Sequence, residues 1–85
     1  MSSQESESEK IQRLTIEGYE KTVAKLIKTV IINVNYQFVS TSNQLLLEYI
    51  RYTIKIMINH VLYQAIADFS IETGEVTVLE FRPET

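Results

Sequence analysis

The chain has no cysteine, no tryptophan, one histidine, one proline and two glycines. Each shortage excludes something. Without cysteine there is no disulfide and no thiolate metal site, and a single histidine cannot build an imidazole zinc site. A chain of 85 residues buries only a small core, so with both staples absent oligomerisation is the reinforcement that remains. No apolar run reaches the ~18 residues of a membrane span, because Arg51 and Lys55 break the longest one. The first ten residues, MSSQESESEK, offer serine and glutamate where a signal peptide has a basic start and an apolar block. They read as a disordered polar tail over 1–10, followed by a single domain over 11–85 and an intracellular location. There is no Gly-rich phosphate loop and no nucleophile elbow. The expectation is a protein that is not an enzyme, with no catalytic residues, no cofactor and no metal.

Charge of one sign is also scarce where nucleic acid would need it. The net charge is −3, far from the basic balance of a chain that wraps DNA. Lys21, Lys25 and Lys28 share one helical face and are the candidate phosphate contacts, although such a row is usually the solvated side of an amphipathic helix. The carboxylates Glu72, Glu75 and Glu80 flank a turn but lack the Asp/Asn ladder of a calcium loop. His60 has no Ser, Cys or Asp at a triad spacing, so it reads as a hydrogen-bonded or surface histidine.

What the chain has in abundance is apolar side chains, 45% of its residues. They concentrate in residues 43–69, NQLLLEYIRYTIKIMINHVLYQAIADF, which contain neither Gly nor Pro. Gln44, Glu48, Arg51, Lys55 and Asn59 recur at steps of three and four, a helical spacing. Almost everything between them is apolar, far more than the stripe of an ordinary surface helix. The spacing predicts a long helix that must be covered on most of its circumference by a second polypeptide. Upstream, Tyr19, Val23, Leu26, Ile27 and Val30 predict a shorter amphipathic helix with Gly18 as its N-cap and Glu20 in its first turn. Leu14–Ile16 is β-prone. Ile32, Val34, Tyr36 and Phe38 alternate with polar residues and predict an extended segment, and Thr41 with Gln44 fits a capping box opening the long helix. After Phe69, residues 70–78 hold a turn between β-prone residues, and Pro83 limits any helix begun at Val78.

Helix, extended loop, long helix and a short remnant outline a histone fold. Thr15-Ile16 with Thr22-Val23, and then Val39-Ser40, Gln44-Leu45-Leu46, Ile50, Tyr52, Ile54-Lys55 and Leu62, resemble the histone-fold subunit of TFIID and SAGA that plays the role of the fourth core histone. The resemblance covers roughly residues 14–69, and the third helix is truncated to at most one turn at Val78–Arg82. It implies a mainly α, histone-like fold and an obligate pairing with a second histone-fold chain or a second copy. It also implies a scaffolding role in a nuclear transcription complex. On this reading the partner-binding residues are Leu46, Tyr49, Ile50, Tyr52, Ile54, Met57, Ile58, Val61, Leu62 and Ala65, with little direct contact to nucleic acid and none to membrane. Centromere and DNA-repair histone-fold proteins form the nearest alternative. A second reading takes residues 32–39 and 71–78 as real strands, giving a small α+β module in which the long helix packs on a short sheet. Such a module would be a homodimeric adaptor, or a regulator of viral or archaeal type.

Overall fold

A computed structural model describes residues 6–84. One helix, α1 (Glu7–Thr29), is followed by four strands, β1 (Tyr36–Leu45), β2 (Tyr49–Ile58), β3 (Val61–Ser70) and β4 (Val76–Pro83). The strands form one antiparallel sheet in sequence order, and the helix lies across a single face of it. The chain is therefore α+β, and the mainly α histone-like fold is overturned. The α+β class of the second reading is what forms, but its helix is at 7–29 and residues 43–69 are sheet.

The misread segment is two strands and a tight turn. Ile50, Tyr52, Ile54, Ile56 and Ile58 are all buried, while Tyr49, Arg51, Thr53, Lys55 and Met57 between them are not. That period of two is the signature of a strand buried on one face. β-Branched isoleucine and tyrosine suit a pleated surface better than a helical one, where they lose χ1 freedom against the preceding turn. Asn59 and His60 connect β2 to β3 as a two-residue hairpin, both with positive φ (50° and 69°), the geometry that matches the right-handed strand twist. Asparagine and histidine are among the few non-glycine residues that tolerate it. Thr41 and Gln44, expected to cap a helix, lie inside β1.

The helix starts earlier than the apolar spacing suggested. Ser6 is its N-cap, its hydroxyl accepting from the Glu9 amide while the Glu9 carboxylate accepts from the Ser6 amide. This capping box, with Glu7 and Glu9 in the first turn, satisfies orphan donors and complements the helix dipole. Glu7–Lys10 are thus helical rather than tail, and the rest of the expected tail, residues 1–5, lies outside the described residues. Leu14–Ile16 are helical as well, and Gly18 is mid-helix rather than a cap. The helix ends at the β-branched run Thr29–Ile32, after which Asn33 turns the chain at φ 58°. Twenty-three helical residues span about 35 Å, and ten strand residues about 33 Å. The two layers are matched in length.

Leu14, Gly18, Thr22 and Leu26, four residues apart, form the buried edge of α1. They face Ile50, Tyr52, Ile54, Ile56, Ala65 and Phe69, each at most 1% exposed. Gly18 permits the close approach: a Cβ there would lie 2.5 Å from the Tyr52 hydroxyl oxygen and 2.7 Å from Phe69 Cδ2. The Tyr52 hydroxyl donates to the Thr15 carbonyl oxygen, so its polar end is satisfied inside the core. Burial pushes its pKa up to about 12 from an ordinary value of 10.0. Below pH 10 the side chain is protonated in both folded and unfolded chains and adds no pH dependence. Between pH 10 and 12 the unfolded chain ionises first, so stability should fall by roughly 2–3 kcal/mol across that window and then level off. Denaturant melts at pH 8, 10, 11 and 12 should show this loss, and Tyr52→Phe should remove it while costing about 1 kcal/mol at neutral pH. Equal alkaline slopes in the two proteins would contradict the assignment.

Candidate interaction surface

The helix packs over β2, β3 and β4 and its backbone does not extend over β1. β1 is therefore an edge strand that reaches beyond its cover, and nine of its ten residues are exposed, with Phe38 half-buried. Its helix-side residues, set by their partners on β2, are Tyr36, Phe38, Thr41, Asn43 and Leu45, opposite Ile58, Ile56, Ile54, Tyr52 and Ile50. Val39 is the extra residue of a bulge. Tyr36, Val39 and Leu45 are 39–52% exposed, and the Tyr36 and Phe38 rings meet edge-on at 5.4 Å.

The facing flank of the helix is apolar too. Lys21 leans toward β3, its Nζ 5.9 Å from the centre of the Phe69 ring. Tyr19, about 200° around the helix from Lys21, faces the other way and stacks at a tilt on Tyr52 of β2, ring centres 6.3 Å apart. One turn on either side of Tyr19 and Val23, Ile16 and Ile27 continue this flank and are 62% and 39% exposed. The helix flank and the inner face of β1 thus leave apolar side chains exposed beside each other, with the polar pair Thr41 and Asn43 in the middle of the strand.

The two sheet edges differ in chemistry. β4 is shorter, carries Glu80 and Arg82, is bulged at Leu79 and ends on Pro83, which has no N–H to offer. Charges, bulges and proline are the usual means of blunting an edge. β1, YQFVSTSNQL, has no charge and no proline, and the uncharged stretch runs from Thr29 to Leu47. Its backbone edge is open to another strand.

The sheet face away from the helix is polar and internally neutralised. Arg51 donates from Nε and Nη2 to the two carboxylate oxygens of Asp68, at 2.8 and 3.0 Å, and this pairing raises the guanidinium pKa above its ordinary value. Lys55 Nζ lies 3.0 Å from Glu84, and Arg82 Nε 2.9 Å from Glu80. Each cation of this face already has a carboxylate, which leaves little for a phosphate to bind. A shallow cavity of about 250 Å³ sits at the hairpin end, lined by Asn35, Tyr36, Gln37, Met57, Asn59 and His60. A second, of about 450 Å³, is lined by Gln64, Arg82, Pro83 and Glu84. Neither gathers a nucleophile with a base. Among the described residues no group of three His, Cys, Asp or Glu side chains is placed to hold a metal, and no helix is long and apolar enough to cross a membrane.

The residues expected to bind a partner are scattered by this fold. Ile50, Tyr52, Ile54, Ile58 and Ala65 are buried beneath the helix, because alternate strand positions turn inward. Tyr49, Met57 and Leu62 lie on the opposite face, Leu46 is in the β1–β2 turn, and Val61 follows the hairpin. They form no common surface. Lys21, Lys25 and Lys28 do share one side of α1, with Lys21 3.6 Å from Glu17. Residues 32–39 were expected to be extended, but residues 40–45 were expected to lead into a helix and β1 was not singled out as a binding edge; the signal for one is the long absence of charge. No protein-family model, no curated protein and no solved structure matches the chain.

Proposed function

We propose that this protein is a non-enzymatic assembly module that recruits a polypeptide partner by strand addition at β1. The observation that carries the reading is that β1 combines an uncharged backbone edge with adjoining exposed apolar side chains, whereas β4 has the features that discourage pairing. In strand addition the main chain supplies affinity through hydrogen bonds and neighbouring pockets supply specificity through alternate side chains. Both parts are present along one strand. The neutralised open face and the shallow cavities favour this over phosphate or small-molecule recognition. The transcription-scaffold role came only with the histone resemblance and is not carried forward with an α+β fold.

A photo-reactive side chain placed at Ser42 in β1, or at Thr77 in β4 as the control, tests this in the cells that make the protein. Discrete polypeptide adducts are expected from Ser42 and not from Thr77. Adducts at Ser42 no stronger than those at Thr77 would overturn the reading.

A further inference from the structure

Resting on the strand-addition reading, we infer that the occupant of the β1 edge is a second copy of this chain, paired antiparallel about a two-fold axis at Ser42. Three features of β1 lead there.

The first is charge. Two chains of net charge −3 repel, but the segment from Thr29 to Leu47 contributes none of that charge, so two copies can abut there without facing like charges.

The second is register. Residues directly opposite in an antiparallel pair point to the same side of the sheet. A two-fold axis must therefore pair helix-side residues with helix-side residues, which places the axis on a residue rather than between two. Between the bulge at Val39 and the end of the strand, β1 is regular from Ser40 to Leu45. An axis at Ser42 sets Thr41 opposite Asn43 on the helix side and Ser40 opposite Gln44 on the open side. It also brings Val39, the exposed bulge residue, opposite Leu45. Hydroxyl meets amide in the middle and apolar meets apolar at the ends.

The third is cover. The helix lies over β2, β3 and β4 and leaves β1 with nine of its ten residues exposed. In the paired sheet the two helices lie on the same face, one on each side of the β1–β1 seam. The seam is then the floor of a trough walled by the flanks bearing Ile16 and Ile27. The exposed faces of Tyr36, Val39 and Leu45 become its central lining. The same patch serves both copies, as an isologous interface requires.

The chain has no cysteine of its own, so an introduced thiol reports without interference. Only the axis residue faces its own copy, with Cβ atoms about 5 Å apart. Thr41 or Asn43 is offset from its own copy by about two residues, roughly 6.6 Å along the strand, which takes it past the ~7 Å Cα limit of a disulfide.

Purified wild-type protein should sediment at twice the 9.9 kDa chain mass. Ser42→Cys should cross-link on oxidation fastest among Ser40→Cys to Gln44→Cys. The double variant Thr41→Lys/Asn43→Lys should be a folded monomer, with circular dichroism like the wild type and a melting temperature that, unlike the wild type's, does not rise with protein concentration. Mixing it with Thr41→Glu/Asn43→Glu should restore the doubled mass, because position 41 of one copy faces position 43 of the other.

A wild-type monomer at roughly 100 µM, well above the micromolar constants of weak specific interfaces, overturns the second copy as occupant. A cross-link maximum at Thr41→Cys or Asn43→Cys overturns the axis. If the chain is monomeric yet Ser42 still labels another polypeptide in cells, strand addition stands and self-pairing falls. If neither occurs, both fall.

Discussion

Replacing Gly18 by alanine should destabilise the fold by about 2–3 kcal/mol, opposite in sign to the usual effect of that change in a helix. Mid-helix glycine ordinarily costs up to about 1 kcal/mol relative to alanine through backbone entropy. Here the added methyl meets the Tyr52 hydroxyl oxygen at 2.5 Å and the Phe69 ring at 2.7 and 2.9 Å. Neither neighbour has room to give. Tyr52 is 0% and Phe69 1% exposed, and the Tyr52 hydroxyl is held by the Thr15 carbonyl. Overpacking of this kind costs about 1–3 kcal/mol, and displacing Tyr52 from its hydrogen bond adds about 1 kcal/mol. At 4–8 °C per kcal/mol for a domain of this size, the melting temperature should fall by roughly 10 °C or more. Ala24→Gly, on the exposed side of the same helix, should cost only the propensity term of about 1 kcal/mol. Phe69→Leu combined with Gly18→Ala should be less damaging than the two single losses added, since both act on one contact. A Gly18→Ala protein more stable than wild type would mean that α1 stands off the sheet.

The sheet was legible in the sequence at one spacing and hidden at another. Arg51 and Lys55 are four apart, and four is close to one helical turn but also two full repeats of a strand, so a polar pair at that interval fits either state. Gln44 and Arg51 complete the apparent line because they sit opposite each other on adjacent strands, while Glu48 and Asn59 belong to the turns. The discriminating interval was two. Thr53 lies midway between Arg51 and Lys55, on the far side of a helix but on the same face of a strand, and it is polar. With isoleucine or tyrosine at every even position from 50 to 58, the strand reading was available.

Competing local signals account for the remaining misreadings. Ser6 and Glu9 have the spacing of a capping box, but the Ser/Glu composition around them argued for a tail and prevailed. The hairpin at Asn59–His60 lacks the glycine that most often marks a two-residue turn. The turn at Gly74, with φ 77°, was read from its glycine. The surface proposed for strand addition could not be located in the same way. That Thr29–Leu47 carries no charge is a fact of sequence, but that β1 is an edge, and an uncovered one, depends on where the helix lies across the sheet. The heavy apolar content suggested a cover from a second chain, but the inward side chains of β2 are covered by this chain's own helix, because inward and outward strand positions merge into one circumference when the segment is read as a helix.

An aspartate scan through β2 should separate those positions with effects large enough to decide the fold by experiment. Ile54 and Ile56 are 0% exposed. Truncating such a side chain costs about 2–5 kcal/mol through lost transfer energy and the cavity left behind, and a carboxyl group without a partner adds its own desolvation. An 85-residue chain has a total stability of roughly 4–13 kcal/mol, so Ile54→Asp and Ile56→Asp should be unfolded or close to it at 25 °C. Thr53→Asp places its carboxylate on the open face and should cost less than about 1 kcal/mol. Lys55→Asp loses the contact with Glu84 and sets two carboxylates near each other, for a loss of about 1 kcal/mol at a half-exposed site. Melting curves should therefore alternate, with mild effects at 53 and 55 and collapse at 54 and 56. A helix would give a different pattern, because position 53 would then lie opposite the polar line through 51, 55 and 59 and be as intolerant as position 54. Thr53→Asp is the deciding variant, and a melting temperature close to wild type there, beside loss of folding at Ile54, is the result expected of a strand.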